Sequence, residues 1–276
     1  MTFATQSVRT ERNVTEVCHA LLDGRSDTIL VVGPSPTVID GLLDALDDHA
    51  DPPTIRLLAA ESVLKAFVRD FTDAATLADF VAADVVSLGV SADLFDGPLV
   101  LTDDEVVSVV STESRSAILS TDDETFVATA RQEYTACWEN ADPFTLRTPP
   151  LSRVRETMDE EFGPETTADF ERMRASLAHD DASGGLDEVD IALLAAAKNE
   201  VLLYNLSTWG ESVGLASRAT FSRKKTQFED AGLIDTEKVP IDVGRPRLRL
   251  LLGDDRLRDA TDVVATAEEL LADADV

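Results

Sequence analysis

Two hydrophobic periods alternate along the chain and mark out its elements. Residues 27–46 (DTILVVGPSPTVIDGLLDAL) read as a buried strand, a Gly-Pro turn and a helix. A second strand follows in PPTIRLLAA (52–60), and residues 62–84 carry one or two helices. Ahead of them, Val14, Val17, Cys18 and Leu21 fall on one helical stripe, with Asn13 and Glu16 spaced as a capping box. VVSLGV (85–90), GPLVLTDD (97–104), EVVSVVS (105–111) and SAILSTD (116–122) are short β-rich runs split by turn residues, as in a meander. Residues 123–144 then return to helical period, with Phe126, Ala130, Tyr134 and Cys137 on one face.

The pattern predicts an α/β (α+β), sensor-like N-terminal domain over 1–145. Residues 146–185 read as a helical connector: Pro149–Pro150 break the chain, two helices flank GPET, and the small polar run Asp180–Gly185 serves as a linker.

From Leu186 the register changes. Asp187 can cap a helix whose Val189, Leu193, Leu194 and Ala197 are apolar. Residues 202–215 form a second helix with Trp209 and Val213 inward, closed near Gly214. Ser217 is a natural N-cap for a third, stopped at Gly232. In that third helix Phe221 and Phe228 share a face, while Arg218, Thr220, Arg223, Lys224 and Gln227 populate the other sides. Residues 232–252 complete the order as strand, Pro/Gly loop, strand. Three helices and a hairpin make a C-terminal winged helix-turn-helix domain over 186–253. The last helix, 254–276, has Leu257, Val263 or Val264, Ala267, Leu270 and Leu271 available as a dimerisation stripe.

Charge sharpens that division. The chain of 276 residues carries 53 acidic and 24 basic residues, a formal net charge of −29. Residues 1–185 hold 13 basic and 35 acidic side chains, 186–252 hold 9 and 10, and 253–276 hold 2 and 8. The winged segment alone escapes the acidity. Spread-out aspartates and five lysines against nineteen arginines suit a halophile's cytoplasm, where salt screens repulsion between hydrated carboxylates; the rival reading is an acidic protein built for cations or a basic partner. No apolar run approaches the length of a membrane helix and no secretory leader is evident, so a cytoplasmic location is expected. Cys18 and Cys137 read as buried free thiols.

Near-neutral charge, a capped third helix and the hairpin stretch Asp242–Leu252 (DVGRPRLRLLL) point to double-stranded DNA. A capped helix offers N–H groups to phosphate while Ser217, Arg218, Thr220, Arg223, Lys224 and Gln227 meet backbone or base edges. At strand period Leu248, Leu250 and Leu252 face the core and the arginines face out. Arg245 and Arg247, beside Gly244 and Pro246, suit a wing tip in a minor groove. Arg249 lies deeper, against phosphate or a neighbouring carboxylate. Two alternatives stand beside this: a winged-helix adaptor whose arginines pair with carboxylates, and an enzyme with an appended winged helix.

Residues 27–43, 146–173 and 196–257 resemble the haloarchaeal TbsP family of transcriptional regulators. The resemblance implies a non-enzymatic, cytoplasmic, DNA-binding regulator of central carbon metabolism, related in function to sugar-responsive regulators. It implies recognition through Ser217–Gln227 and a wing tip at Gly244–Arg247. A homodimer on a palindromic site is expected, with a small metabolite as candidate effector of the N-terminal domain. That domain looks like the effector domains of archaeal winged-helix regulators, some related to the phospholipase D fold. His19, His49 and His179 lack the His-x-Lys pattern of that enzyme and are too scattered for a metal site. No cofactor motif is present. Ser35 and Thr37 could cradle a phosphate, but a plain helix cap is the better reading.

Overall fold

A computed structural model describes residues 7–11, 14–23, 27–91, 97–111, 116–177, 186–241 and 245–274. The chain divides into two compact units, Met1–Pro150 and Leu151–Val276. Asn13, Gly244 and the linker 180–185 lie outside the described residues.

The first unit runs β1 (Ser7–Glu11), α1 (Val14–Leu22), β2 (Ile29–Val32), α2 (Pro36–Asp47), β3 (Ile55–Ala59), α3 (Glu61–Phe67), α4 (Phe71–Ala82), β4 (Val86–Val90), β5 (Leu99–Leu101), β6 (Val106–Ser111), β7 (Ser116–Thr121), α5 (Glu124–Glu139) and β8 (Asp142–Pro143). The strands form one sheet in the order β1-β7-β6-β5-β2-β3-β4-β8. β2, β3 and β4 are parallel, and the other pairings are antiparallel. β2 reads as an unbroken apolar run because both its faces are covered, and every one of its residues is buried; β3 and β4 each carry one exposed polar residue, Arg56 and Ser87. The predicted meander is β5-β6-β7.

One face carries the main core, where Val17, Ile39, Leu46, Leu64 and Leu77 of the helices meet Ile29, Leu57, Val107 and Ile118 of the sheet. Asp70 caps α4 by accepting from the Asp73 amide at 3.1 Å, which separates α3 from α4. The opposite face has a smaller core under α5. Here Ala130, Tyr134 and Cys137 of the expected stripe face the sheet, but its first member does not: Phe126 is 54% exposed, and Val127 is buried in its place. Asp123 caps α5 through the Phe126 amide, and from that start the 3.6-residue period carries Val127, Ala130, Tyr134 and Trp138 to the sheet. Ser35 caps α2 through the Val38 amide, the plain reading of that turn. Cys18 is buried, and burial, then Asp44, pushes its thiol up to about 12; Cys137 is only half-buried.

The second unit comprises α6 (Leu151–Phe162), α7 (Pro164–Leu177), α8 (Glu188–Lys198), α9 (Leu203–Val213), α10 (Arg218–Asp230), β9 (Ile234–Val239), β10 (Arg247–Leu252), α11 (Asp255–Asp259) and α12 (Val263–Ala274). The expected connector is instead part of this unit. α7 packs on α8, and α6 packs on α7 and α9. Trp209 of α9 donates Nε1–H to Thr157 Oγ1 of α6 at 2.9 Å, and its ring meets Phe162 edge-on at 5.6 Å. Asp169 of α7, buried, accepts from Lys198 Nζ and Asn199 Nδ2, both at 2.9 Å. These polar anchors add to the apolar packing of the two helices, whose Val154, Met158 and Phe170 are fully buried.

The supposed dimerisation stripe is also spent internally. α12 packs on α7 and α11, and Leu257, Val263, Val264, Ala267 and Leu270 are all buried in the single chain. An intramolecular helix, not a partner, covers that face.

Candidate nucleic-acid interface

The interface begins with the caps. Asp187 and Asp190 form a reciprocal capping box at the start of α8. Gly214 takes φ 90° and closes α9, and the Leu215 amide bonds back to Gly210 at 2.8 Å. Two residues later Ser217 caps α10, its Oγ accepting from the Thr220 amide at 3.1 Å. The pair α9–α10 is therefore a helix-turn-helix with a left-handed glycine in its turn.

Phe221, Lys225 and Phe228 form the inward face of α10. Ser217, Arg218, Arg223 and Gln227 consequently face outward and are exposed, and Thr220 is half-buried. Arg223 and Gln227 sit one turn apart, and Arg223 makes no ion pair among the described residues. Arg218 pairs with Glu211 at 2.7 Å on the open surface.

Lys224 does not belong with them. Its side chain is only 15% exposed and makes ion pairs with Asp187 at 2.8 Å and Asp190 at 2.7 Å. Burial opposes its charge, but hydrogen bonds to the two carboxylates outweigh burial and hold Lys224 above the usual lysine value. It locks α10 to α8, its ammonium held by the two carboxylates rather than presented outward. Lys225 similarly pairs with Glu229 at 2.6 Å, and Glu229 accepts from Thr236 at 2.7 Å, tying α10 to β9.

β9 and β10 pair from Ile234↔Leu252 to Val239↔Arg247. An isolated bridge from Leu202 to Arg249, with the Leu250 amide donating to Val201 O at 3.0 Å, ties the start of α9 to β10 of this two-stranded sheet. Leu250 and Leu252 are buried and Leu248 is half-buried, as the period-two pattern requires. Arg249 takes the carboxylate option, with Glu237 at 3.3 Å and Glu200 at 3.9 Å. Arg245 is exposed and makes no ion pair among the described residues.

Arg247 has company the sequence did not suggest. Its guanidinium lies 4.0 Å from the centroid of the Tyr204 ring and donates to Asn205 Oδ1 at 3.2 Å. Tyr204 is 49% exposed, in the first turn of α9, on the side away from Trp209. The signal available was an aromatic on the polar face of an amphipathic helix.

The two nearer histidines do meet: the His19 and His49 rings stack at 6.1 Å. Even so, no group of three or more metal-ligating side chains fit to hold an ion occurs among the described residues. No described helix is long and apolar enough to cross a membrane.

Comparison with known proteins gives the family. Residues 6–149 match the N-terminal domain of TbsP-like transcriptional regulators, and residues 150–270 match their C-terminal helix-turn-helix domain. Both are regulator domains rather than enzymes. No curated protein matches the chain. Among solved structures, TrmBL2, an archaeal chromatin protein with a novel mode of DNA binding, is 17% identical over 50% of this chain and 54% of that one, at TM-score 0.36. The chain thus spans about half of that protein's length. Nuc, a phospholipase D family member from Salmonella typhimurium, is 9% identical over 51% of this chain and 99% of that one, at TM-score 0.37. NucT from Helicobacter pylori is 9% identical over 51% and 100%, at TM-score 0.33. With both family domains laid end to end along it and a capped helix-turn-helix at the expected place, the chain belongs to the TbsP-like transcriptional regulators.

Proposed function

We propose that the protein binds promoter DNA as a homodimer, reading base edges with α10 and gripping the duplex with an arginine-bearing wing. The carrying observation is the division among its cations. Arg218, Lys224, Lys225 and Arg249 are neutralised by carboxylates, whereas Arg223, Arg245 and Arg247 have no carboxylate partner among the described residues. An adaptor that avoids DNA would neutralise these as well in so acidic a chain. Ser217 and Thr220 supply phosphate contacts at the helix start, Arg223 and Gln227 reach base edges, and Arg245 and Arg247 carry the wing. Arg218 joins by exchanging Glu211 for phosphate. The proposed targets are promoters of central carbon metabolism, as the resemblance read from the sequence implies, and the proposed setting is the cytoplasm of a halophile, in keeping with the net charge of −29. Under this reading the α/β unit senses a small metabolite, and two copies place two recognition helices on a palindrome.

The test is fluorescence anisotropy of the full chain on a promoter fragment and on a scrambled duplex, at one fixed salt concentration. Arg223→Ala and Gln227→Ala should each cost about 1–3 kcal/mol on the promoter and little on the scrambled duplex. Equal promoter binding by both variants removes α10 as the reader. Genome-wide occupancy by immunoprecipitation, with and without glucose, then decides the regulatory targets.

A further inference from the structure

The first unit holds a cleft of about 810 Å³ lined by α3, the end of β4 and residues 142–148. That volume is in the range of small-molecule sites. The cleft opens beyond the carboxyl ends of the parallel strands β3 and β4. Its floor is apolar: Val68, Val90, Phe144 and Leu146 are half-buried and packed on the main core. β8 is stitched to β4, and the Phe144 amide donates to Leu88 O at 3.2 Å, so the floor is held by backbone bonds.

The charges around that floor do not cancel locally. Lys65 and Glu61 neutralise each other at 2.9 Å. Arg147 and Asp142 remain, one of each sign, and neither makes an ion pair with the other or with any other described residue. Both are exposed, and the Thr145 and Thr148 hydroxyls line the same wall. A free anion would find only one uncompensated cation here, and a cation only one uncompensated carboxylate. A molecule bearing one charge of each sign and an apolar group matches this lining.

We propose that the cleft binds a free amino acid with an apolar side chain, Arg147 taking its carboxylate, Asp142 its ammonium, and the apolar floor its side chain. The wall formed by residues 145–148 runs on through Pro149 and Pro150 into α6, the first helix of the DNA-binding unit. Occupancy therefore fixes the segment that leads to the reader. That regulatory consequence rests on the DNA-binding function proposed above; the site itself does not.

Calorimetry on the full chain with L-leucine, 3-methylbutylamine and 4-methylpentanoate tests the site. Saturable binding of L-leucine is expected, with the amine and the acid each about tenfold weaker, the cost of one lost charge-assisted contact. Arg147→Ala and Asp142→Asn, both at exposed positions, should each weaken L-leucine by a similar factor with unchanged thermal unfolding. No saturable binding of L-leucine, equal binding of all three probes, or unaltered binding by both variants overturns the site. Promoter anisotropy with and without L-leucine tests the consequence, an affinity change of about fivefold or more that Arg147→Ala abolishes. If the protein binds leucine but no DNA, the proposed function fails and the site stands; if it binds DNA but not leucine, the reverse holds.

Discussion

A Cβ on Gly210 would lie 2.3 Å from Cε2 of Phe221. This close approach is where α9 crosses α10, and Phe221 is fully buried on the inward face of α10, the proposed recognition helix. The ring cannot swing aside without opening the core of the second unit. Gly210→Ala should therefore push α10 off its seat, at about 1–3 kcal/mol for overpacking. Thermal unfolding measures the cost, and promoter affinity should fall by more than stability alone explains. Unchanged stability and affinity would mean that the crossing has slack the distances do not show.

Lys224 and Arg223 are neighbours on α10 with opposite assignments. Lys224→Met leaves Asp190, already buried with its Oδ1 lacking a hydrogen-bond partner, without a counter-charge. A loss of about 3 kcal/mol is expected, the low end for broken buried pairs because Lys224 is itself partly exposed. Arg223→Ala should change stability by no more than about 0.5 kcal/mol yet weaken promoter binding. Denaturant titration and anisotropy on the two variants check the contrast. A stable Lys224→Met that binds DNA poorly would return Lys224 to the interface.

The winged order was legible because its signals are local. Asp187, Gly214 and Ser217 act within three or four residues, and the Leu250–Leu252 alternation needs only the strand period. The parts that escaped depend on partners far along the chain. Trp209 holds Thr157 across 52 residues, and Lys198 holds Asp169 across 29, so α6 and α7 read as a connector when they belong to the second unit. Lys224 looked like surface on α10 until α8 brought Asp190 beside it, 34 residues away. β1 is a strand through its pairing with β7, a contact no local pattern reveals. The stripe on α12 was read correctly as apolar and wrongly as free, because periodicity says which face is buried and not by what.

Tyr204 and Arg247 form the least expected pair of the interface. The ring and Asn205 hold the guanidinium in place, and under the proposed function that lowers the ordering cost of binding DNA. Tyr204→Leu should weaken promoter binding about three- to tenfold, and Tyr204→Phe should retain it if stacking is the operative contact. In the double-mutant cycle with Arg247→Ala the two losses should not add. Additive losses would show that Tyr204 acts on its own, and an unaffected Tyr204→Leu would remove it from the wing.

Asp40 and Asp44 on α2 and Asp70 and Asp73 at the start of α4 act on one another across two helices. Burial first, then Asp70, Asp40 and Asp44, raises Asp73 from 3.8 to about 6. A folded-state value above the unfolded one means that the folded chain binds the proton more tightly. Stability therefore falls as pH rises through the window from about 4 to 6 and stays lowered above it. Asp73→Asn should relieve this: the variant should exceed the parent by about 1 kcal/mol at pH 7.5, after discounting for solvent and salt. The gap should close below about pH 4, where the parent carboxyl is protonated in both states. Molar KCl should shrink it at neutral pH, because screening weakens the repulsion among the four carboxylates while leaving burial untouched. Urea titrations at two pH values and two salt concentrations measure all of this. A variant no more stable than the parent at pH 7.5 in low salt would show that this carboxylate cluster does not strain the fold.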